Sequence, residues 1–227
     1  MKKIKISISA LFIMALLYSC SKDNSVVTKL GYSYFPVNVG HWVEYEVDSI
    51  VVDDFNQTID TFQFFIREEI DSLFIDQSGE PTQRLERYKR QTSSDPWTIH
   101  KIWTSNRTNT TAQKTEDNFR FIKLVFPINL FDDWDGNAFN TNNEAEYEYT
   151  EVHNTFSLNG LNFDSVLTVT QVIDTNGLIS NVIEIEKYAA QVGMIYKEQT
   201  DLEFNFSFPD SITGGIVYKE KITAYGN

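Results

Sequence analysis

The thiol of Cys20 is the side chain with the most distinctive chemistry in this sequence, because it is the only cysteine among 227 residues. It has no partner for an intramolecular disulfide, so it is either a buried free thiol or a modified one. Residues 1–5 before it carry three lysines, and Ala10 to Tyr18 is apolar without a charge. This is the pattern of a signal peptide, and the apolar stretch is too short to span a bilayer, which takes about 20 residues.

The residues Leu17-Tyr18-Ser19-Cys20 resemble the lipobox of bacterial lipoproteins. The resemblance implies cleavage after Ser19 and a diacylglyceryl thioether on the Cys20 sulfur. Two or three acyl chains on one residue anchor a protein stably, whereas one chain binds a membrane only marginally. We therefore expect a signal peptide over residues 1–19, a lipidated cysteine with a flexible tether over 20–33, and an antiparallel β domain over 34–227.

The charge of the chain restricts its partners. It has 19 basic and 32 acidic residues, and removing the three lysines of residues 1–19 leaves 16 basic residues and a net charge of −16. Such a field repels nucleic acid and anionic lipid head groups. We therefore expect no nucleic-acid partner, and we expect the membrane to be reached through the lipid on Cys20.

Apolar residues alternate with polar ones over most of the chain, which is typical of half-buried strands. Val43, Tyr45 and Val47 alternate with acids, and turn signals such as Asn159-Gly160 separate the stripes. The pattern predicts an all-β fold of about ten antiparallel strands without an amphipathic helix. That many strands favour a strongly curved sheet, either a half-barrel or a barrel, with a β-sandwich as the alternative.

Two segments of the chain echo each other. Phe35-Pro36-Val37-Asn38-Val39, followed by Trp42, is matched 91 residues later by Phe126-Pro127-Ile128-Asn129-Leu130, followed by Trp134. Each copy precedes acidic, aromatic, strand-like sequence. The domain is therefore expected to contain two similar halves, each opened by a proline turn and a tryptophan plug, with chance as the alternative explanation.

Three motifs, Tyr34 to Glu46, Trp134 to Asn137 and Val192 to Glu198, are similar to those of a group of Bacteroidota lipoproteins without an established activity. The resemblance covers most of the mature chain and implies a lipoprotein of the outer membrane. Ser21 follows the cysteine, where aspartate marks inner-membrane retention in many bacteria. Ser21-Lys22-Asp23-Asn24 partly resembles a surface-export signal, so both a periplasmic-facing and a surface-exposed placement remain open.

The sequence offers little for catalysis. His41, His100 and His153 are scattered, and no phosphate loop, nucleophile elbow or cysteine–histidine pair is present. The segment Asp133 to Asn137 has alternating oxygen ligands, but its glycine falls one place early for a calcium loop and no glutamate follows. We therefore expect no enzymatic activity, such as glycoside hydrolysis, and no metal or cofactor.

Five aromatic residues near strand ends and loops are candidates for a ligand or partner surface: Trp97, Trp103, Phe131, Trp134 and Phe139. Core packing is the competing interpretation of each. The leading functional hypothesis is an anchored, noncatalytic binding or accessory module for a protein partner. The alternative is a binder of a small apolar or glycan ligand in a concave sheet.

Four Asp-Ser-aliphatic triplets resemble the O-glycosylation site of Bacteroidota. They make Ser49, Ser72, Ser165 and Ser211 candidates for modification. Strand ends also favour this triplet for conformational reasons, so a structural explanation stays open.

A first prediction concerns the anchor. Replacing Cys20 with alanine should abolish lipid attachment, because the thiol is the attachment point, and should leave the β domain unchanged. Metabolic labelling with a palmitate analogue measures this directly. Persistent labelling of the Cys20→Ala protein would show that the lipid is elsewhere.

Overall fold

The computed structural model describes residues 30–56, 58–175, 177 and 179–227. Within them the chain forms one antiparallel sheet of 12 strands, a 3-10 helix at Tyr32–Tyr34 and no α-helix, which confirms the predicted all-β class. The predicted signal peptide and Cys20 lie outside the described residues. None of the helices in the described part of the chain is long and apolar enough to cross a membrane.

The strands follow one another at nearly regular spacing. They are β1 Trp42–Asp53, β2 Thr58–Ile75, β3 Pro81–Arg90, β4 Thr98–Arg107, β5 Thr111–Glu116, β6 Phe119–Val125, β7 Asp133–Asp135, β8 Glu146–Leu158, β9 Leu161–Asp174, β10 Ser180–Ala189, β11 Gly193–Asn205 and β12 Phe208–Gly226. Two more strands are present than the sequence predicted.

The sheet order is β6-β5-β4-β3-β2-β1-β12-β11-β10-β9-β8-β7. Each half of the chain is therefore a six-stranded meander, and the first strand pairs with the last over the whole length of β1. The two outer strands, β6 and β7, come together and nearly close the sheet into a barrel. The predicted barrel is confirmed, and the sandwich alternative is not found.

The two Phe-Pro segments precede β1 and β7, the first strands of the two meanders. Their tryptophans do not share one role. Trp134 is buried in the core, whereas Trp42 is only partly buried and packs under the guanidinium of Arg67 at 4.3 Å. The chain thus has two similarly connected halves, but only the second has a buried tryptophan plug.

The alternation of residues along each strand determines which side chains point into the barrel. Val43, Tyr45 and Val47 are all buried, as predicted from their spacing, while the acids between them lie on the outer face. Two apolar clusters fill much of the interior, one around Tyr149 and one around Tyr45.

The folded part begins no later than Leu30, which shortens the predicted tether of residues 20–33. Gly31 has a φ of 87°, and its Cα approaches Ile128 so closely that a Cβ there would collide with the isoleucine. The Arg107 guanidinium donates hydrogen bonds to the carbonyls of Tyr32 and Phe35 at 2.7 and 2.8 Å. These contacts hold the segment across the end of the barrel where β1 starts.

Side chains close the seam between β6 and the β7–β8 hairpin. One backbone bond crosses it, from the Ile122 amide to the Gly136 carbonyl at 2.9 Å, and the Trp134 indole donates to the Ile122 carbonyl at 2.9 Å. The Tyr149 hydroxyl accepts from the Val125 amide at 2.9 Å and donates to its carbonyl at 2.8 Å. These aromatic side chains satisfy edge groups that a neighbouring strand would otherwise pair.

A second prediction follows from this seam. Tyr149→Phe should destabilise the fold by about 1–3 kcal/mol, because it leaves two partly buried backbone groups of Val125 without their side-chain partner. Urea unfolding measures the loss. Tyr147→Phe is the control, since Tyr147 is also buried but its hydroxyl forms no hydrogen bond with another described residue, and its loss should cost less than about 1 kcal/mol. Equal losses of unfolding free energy in the two variants would show that the hydrogen bonds of the Tyr149 hydroxyl do not stabilise the seam.

Candidate functional site

Eight charged side chains meet inside the barrel, and we call them the ion network. They come from seven strands and are Glu68, Arg87, Lys114, Glu116, Lys123, Glu186, Lys197 and Glu220. Three of them are direct cross-strand partners, because Lys197 is in register with Glu186 on one side and Glu220 on the other. The sheet itself therefore brings opposite charges together.

Arg87 is the centre of one end of the network. Its Nη1 lies 2.6 Å from Glu68 and its Nη2 lies 2.6 Å from Glu220, and both carboxylates are almost completely buried. Lys114 contacts both oxygens of Glu68 at 2.9 Å. The guanidinium thus bridges β2 and β12 across the interior, and Lys114 extends the chain of contacts to β5.

Lys123 is the centre of the other end. Its Nζ lies 2.9 Å from Glu186 and 3.4 Å from Glu116. Lys114 lies 3.9 Å from Glu116 and so connects the two ends, while Lys197 lies 3.8 Å from Glu186. Four cations and four anions form one continuous path, and their formal charges cancel.

Burial and charge oppose each other at the acids of the network. Burial is the largest influence on Glu116, Glu186 and Glu220 and by itself raises their pKa values. The surrounding cations, above all Lys123 for Glu116 and Glu186 and Arg87 for Glu220, outweigh it and bring each pKa below the usual glutamate range. The carboxylates therefore stay ionised in the interior.

Buried hydroxyls complete the network. Tyr188 donates to Glu186 at 2.5 Å, and Tyr218 donates to Glu220 at 2.6 Å. Burial, followed by the adjacent carboxylate, raises the pKa of each of these tyrosines, so both remain neutral donors. Trp103 lies beneath the cations of Arg87 and Lys114, at 4.3 and 4.9 Å from its ring.

Two cavities flank the network. The larger, of about 330 Å³, lies toward the β1–β2 and β5–β6 turns and has both charged and aromatic walls. The smaller, of about 70 Å³, lies toward the N-terminal segment, against Phe35 and His41. Both include Arg87, Glu116 and Lys197 in their walls, so these network residues separate the two spaces.

Two buried polar atoms of the network lack a partner among the described residues. They are Nε of Arg87 and Oε2 of Glu220, and both side chains line the larger cavity. Their residues are almost fully enclosed, with 7 and 2% of the side chain exposed. Both atoms are enclosed by protein, so each leaves an unsatisfied hydrogen-bonding group inside the barrel.

The described residues contain no group of three or more histidine, cysteine or carboxylate side chains placed to hold a metal ion. In the rejected calcium segment, Asp135 Oδ1 instead accepts hydrogen bonds from the amides of Asn137 and Ala145. This carboxylate oxygen therefore stabilises a turn.

The five predicted aromatics do not form one surface. Trp103 lines the larger cavity, and Trp134 is buried against Tyr149 in the core, so neither belongs to an outer surface. Trp97 is partly buried under Arg90, whereas Phe131 and Phe139 are more than half exposed. Strand alternation alone did not separate inward from outward aromatics near the strand ends.

The candidate glycosylation serines are also placed differently. Ser49 is buried in line with Val47 on the inner face, so the folded barrel withholds its hydroxyl from a modifying enzyme. Ser165 is partly buried and bonded to the Tyr34 hydroxyl at 2.7 Å. Ser72 is partly exposed and Ser211 is exposed. Modification of these last two stays a prediction.

A cluster of exposed apolar residues, which sequence reasoning missed, lies on three neighbouring hairpins. We call it the apolar rim. It comprises Phe55, Ile59 and Phe62 of β1–β2, Ile173 and Ile179 of β9–β10, and Phe206, Phe208 and Ile212 of β11–β12. Phe55, Phe206 and Phe208 are 95, 74 and 70% exposed. The β11–β12 hairpin turns at Phe206 and Ser207, which places Phe206 at the tip.

Two solved structures are similar to this chain. A Bacteroides fragilis protein described as exported, with a YmcC-like fold, covers 85% of this chain and 98% of its own at 12% identity and a TM-score of 0.45. A Parabacteroides distasonis protein described as a lipoprotein covers the same shares at 11% identity and a TM-score of 0.38. No protein-family model and no curated protein matches the sequence. Identities this low transfer no residue roles.

A third prediction tests the ion network. Lys123→Met should cost about 3–5 kcal/mol of unfolding free energy at pH 7, because it leaves Glu116 and Glu186 as buried charges facing a methionine. Lys221→Met is the matched control: its pair with Asp48 at 2.7 Å is about one-third exposed, and its loss should cost no more than about 1 kcal/mol.

The double variant Lys123→Met/Glu186→Gln should recover part of the loss in the same urea titration, because it removes one of the two stranded charges. If the Lys123 and Lys221 variants are equally stable, the buried ion pairs of the network do not contribute more to the stability of the fold than an exposed pair does.

Proposed function

We propose that this protein is a noncatalytic accessory lipoprotein, anchored to the outer membrane through Cys20, that holds a protein partner at the apolar rim. The observation that carries the proposal is the exposure of three phenylalanines on adjacent hairpin tips. Monomeric soluble proteins rarely leave large apolar residues contiguous and exposed unless the patch has a binding role.

The sheet order places the three hairpins of the rim beside one another at one end of the barrel. β2, β1, β12, β11, β10 and β9 are consecutive neighbours, and the hairpins β1–β2, β11–β12 and β9–β10 all turn at the same end of these strands. Phe55, Phe206 and Ile179 therefore project side by side from the mouth of the barrel. Aromatic side chains in such a position are typical anchors of protein interfaces.

Charge favours a protein over a membrane as the occupant. Exposed acids accompany the apolar residues on the same hairpins, among them Asp60, Asp201 and Glu203. Carboxylates oppose insertion into a bilayer with anionic head groups. They complement a partner whose apolar patch is surrounded by lysine and arginine, and they would speed its encounter.

The position of the rim is also suited to a partner away from the anchor. The described chain starts at Leu30, at the end where β1 begins, and the rim lies at the other end of this 12-residue strand. At about 3.3 Å per residue the strand is roughly 40 Å long. A lipid attached upstream of Leu30 would leave the rim facing away from the membrane.

A fourth prediction tests the partner. A photo-crosslinking amino acid placed at Phe55, Phe206 or Phe208 in the producing bacterium should give one protein adduct of the same mass from all three positions, because the three side chains share one surface. Gel shift followed by mass spectrometry identifies the adduct.

Ile75 is the matched control position, since it is 64% exposed but lies at the far end of β2 from the rim. It should not give that adduct. Adducts to lipid alone, or the same adducts from Ile75, would overturn the proposal. Changing Phe55, Phe206 and Phe208 to serine should remove the interaction without lowering the stability of the fold, because these side chains pack against little.

A further inference from the structure

The larger interior cavity carries an inference that does not depend on a partner at the rim. We propose that it binds a small organic anion, whose carboxylate pairs with Lys89 beside His100 and whose apolar part lies against the aromatic wall. The volume of about 330 Å³ is at the lower end of the range of small-molecule pockets. Lys89 stands beside this wall, with its Nζ 3.8 Å from the centre of the Phe64 ring.

The charges around the cavity leave one cation without a counter-charge. Three cations and three anions in the wall balance each other, namely Arg87, Lys101 and Lys197 against Glu116, Asp117 and Glu220. Lys89 adds a further positive charge, because its ammonium forms no ion pair with a carboxylate in the described part of the chain. The acidic charge of the whole protein opposes this excess only weakly, since charges more than about 8 Å away are largely screened at physiological ionic strength.

His100 supplies a second free donor at the same place. The register of β3 and β4 shifts between Arg87 and Tyr88, which leaves His100 as the extra residue of a bulge beside Lys89. Its imidazole has no hydrogen-bond partner among the residues that the structure describes. Burial, followed by the charges of Lys89 and Lys101, lowers the pKa of His100. The ring therefore lies in positive surroundings, which favour an anion.

Asp117, the acid beside these donors, is engaged by other groups. Its Oδ2 accepts a hydrogen bond from Lys101 at 2.5 Å, and its Oδ1 accepts one from the Trp103 indole at 3.1 Å. These bonds, first that of Lys101, hold the pKa of Asp117 below the usual aspartate range. Asp117 thus balances Lys101 and leaves Lys89 and His100 available.

Both free donors can be reached from solvent. Lys89 is half-buried and His100 is exposed. The side chains of Lys101 and Asp117 next to them are 37 and 60% exposed. A small ligand can therefore enter at this end of the barrel without displacing the buried ion network.

The apolar part of the wall determines what the anion is attached to. Phe64, Ile66 and Tyr218 border the cavity, and Phe64 is also the ring over which Lys89 lies. One small molecule can therefore pair its carboxylate with the ammonium and bury an apolar group beside it. A neutral apolar molecule would leave Lys89 without a counter-charge, and an inorganic anion would leave the apolar wall uncovered.

The test is an NMR titration of the full-length protein in nonionic detergent, followed through the ring signals of its three histidines. The probes are phenylpropionate and octanoate, each compared with its amide and with the ammonium compound of the same chain length. The carboxylates should bind about tenfold or more tightly than their counterparts, because only they pair with Lys89.

The histidine signals also locate the site. The ring signals of His100 should shift with the carboxylates. Those of His41 and His153 should not, because these residues lie at the other end of the barrel, bonded to Asn227 and Tyr34.

A pair of lysine variants tests the charge. Lys89→Met should weaken carboxylate binding by about tenfold or more and leave amide binding unchanged, because it removes the free cation and breaks no ion pair. Lys221→Met is the matched control, since Lys221 lies on the outer face and pairs with Asp48, and it should change the affinity by less than about twofold. Urea unfolding verifies that both variants are folded.

Absence of binding by both carboxylates would overturn the inference. Equal affinities for a carboxylate and its amide, an unchanged affinity in Lys89→Met, or shifts of His41 or His153 without His100 would also overturn it. The protein with Phe55, Phe206 and Phe208 changed to serine should bind the carboxylates normally, so failure here and failure of the partner proposal can be told apart.

Discussion

The constraint on which the whole structure depends is that eight charges share one enclosed space and must cancel within it. Removing a charge from water costs several kcal/mol even after relaxation, so each ion of the network is tolerable only while its partners are in place. Arg87 meets that condition by joining β2 to β12, and Lys123 by joining β5, β6 and β10. The strands must therefore keep their positions in the barrel for the buried side chains to stay ionised.

The sequence predicted the fold class because alternation is a local property. The spacing of Val43, Tyr45 and Val47 predicts a strand with one buried face, and this prediction does not depend on which strand it pairs with. The same rule failed to identify the ion network. Glu68 lies between Ile66 and Ile70 at the period that places it on the inner face of β2, but a charged residue at that position reads as a break in the apolar stripe and not as part of the interior.

The network also depends on contacts between residues that are far apart in the sequence, which local residue spacing cannot predict. Arg87 and Glu220 are 133 positions apart, and each would be read as a solvated charge without the other. Trp103 shows the same limit for aromatics: the sequence marked it as a ligand contact or as core, and the structure makes it part of a cavity wall beneath two cations. The apolar rim was missed because its hairpins become neighbours only when β1 pairs with β12.

That pairing of the first strand with the last has a consequence for how the molecule is made. Trp42 pairs with Gly226 and Asp53 with Gly214, residues 184 and 161 positions apart. Synthesis proceeds from the N-terminus, so one edge of β1 stays open until the final 19-residue strand is available. An unpaired edge invites pairing with other chains, and such long-range closure is intrinsically slow. Until β12 pairs with β1, the chain is therefore more open to pairing with other chains than the completed barrel is.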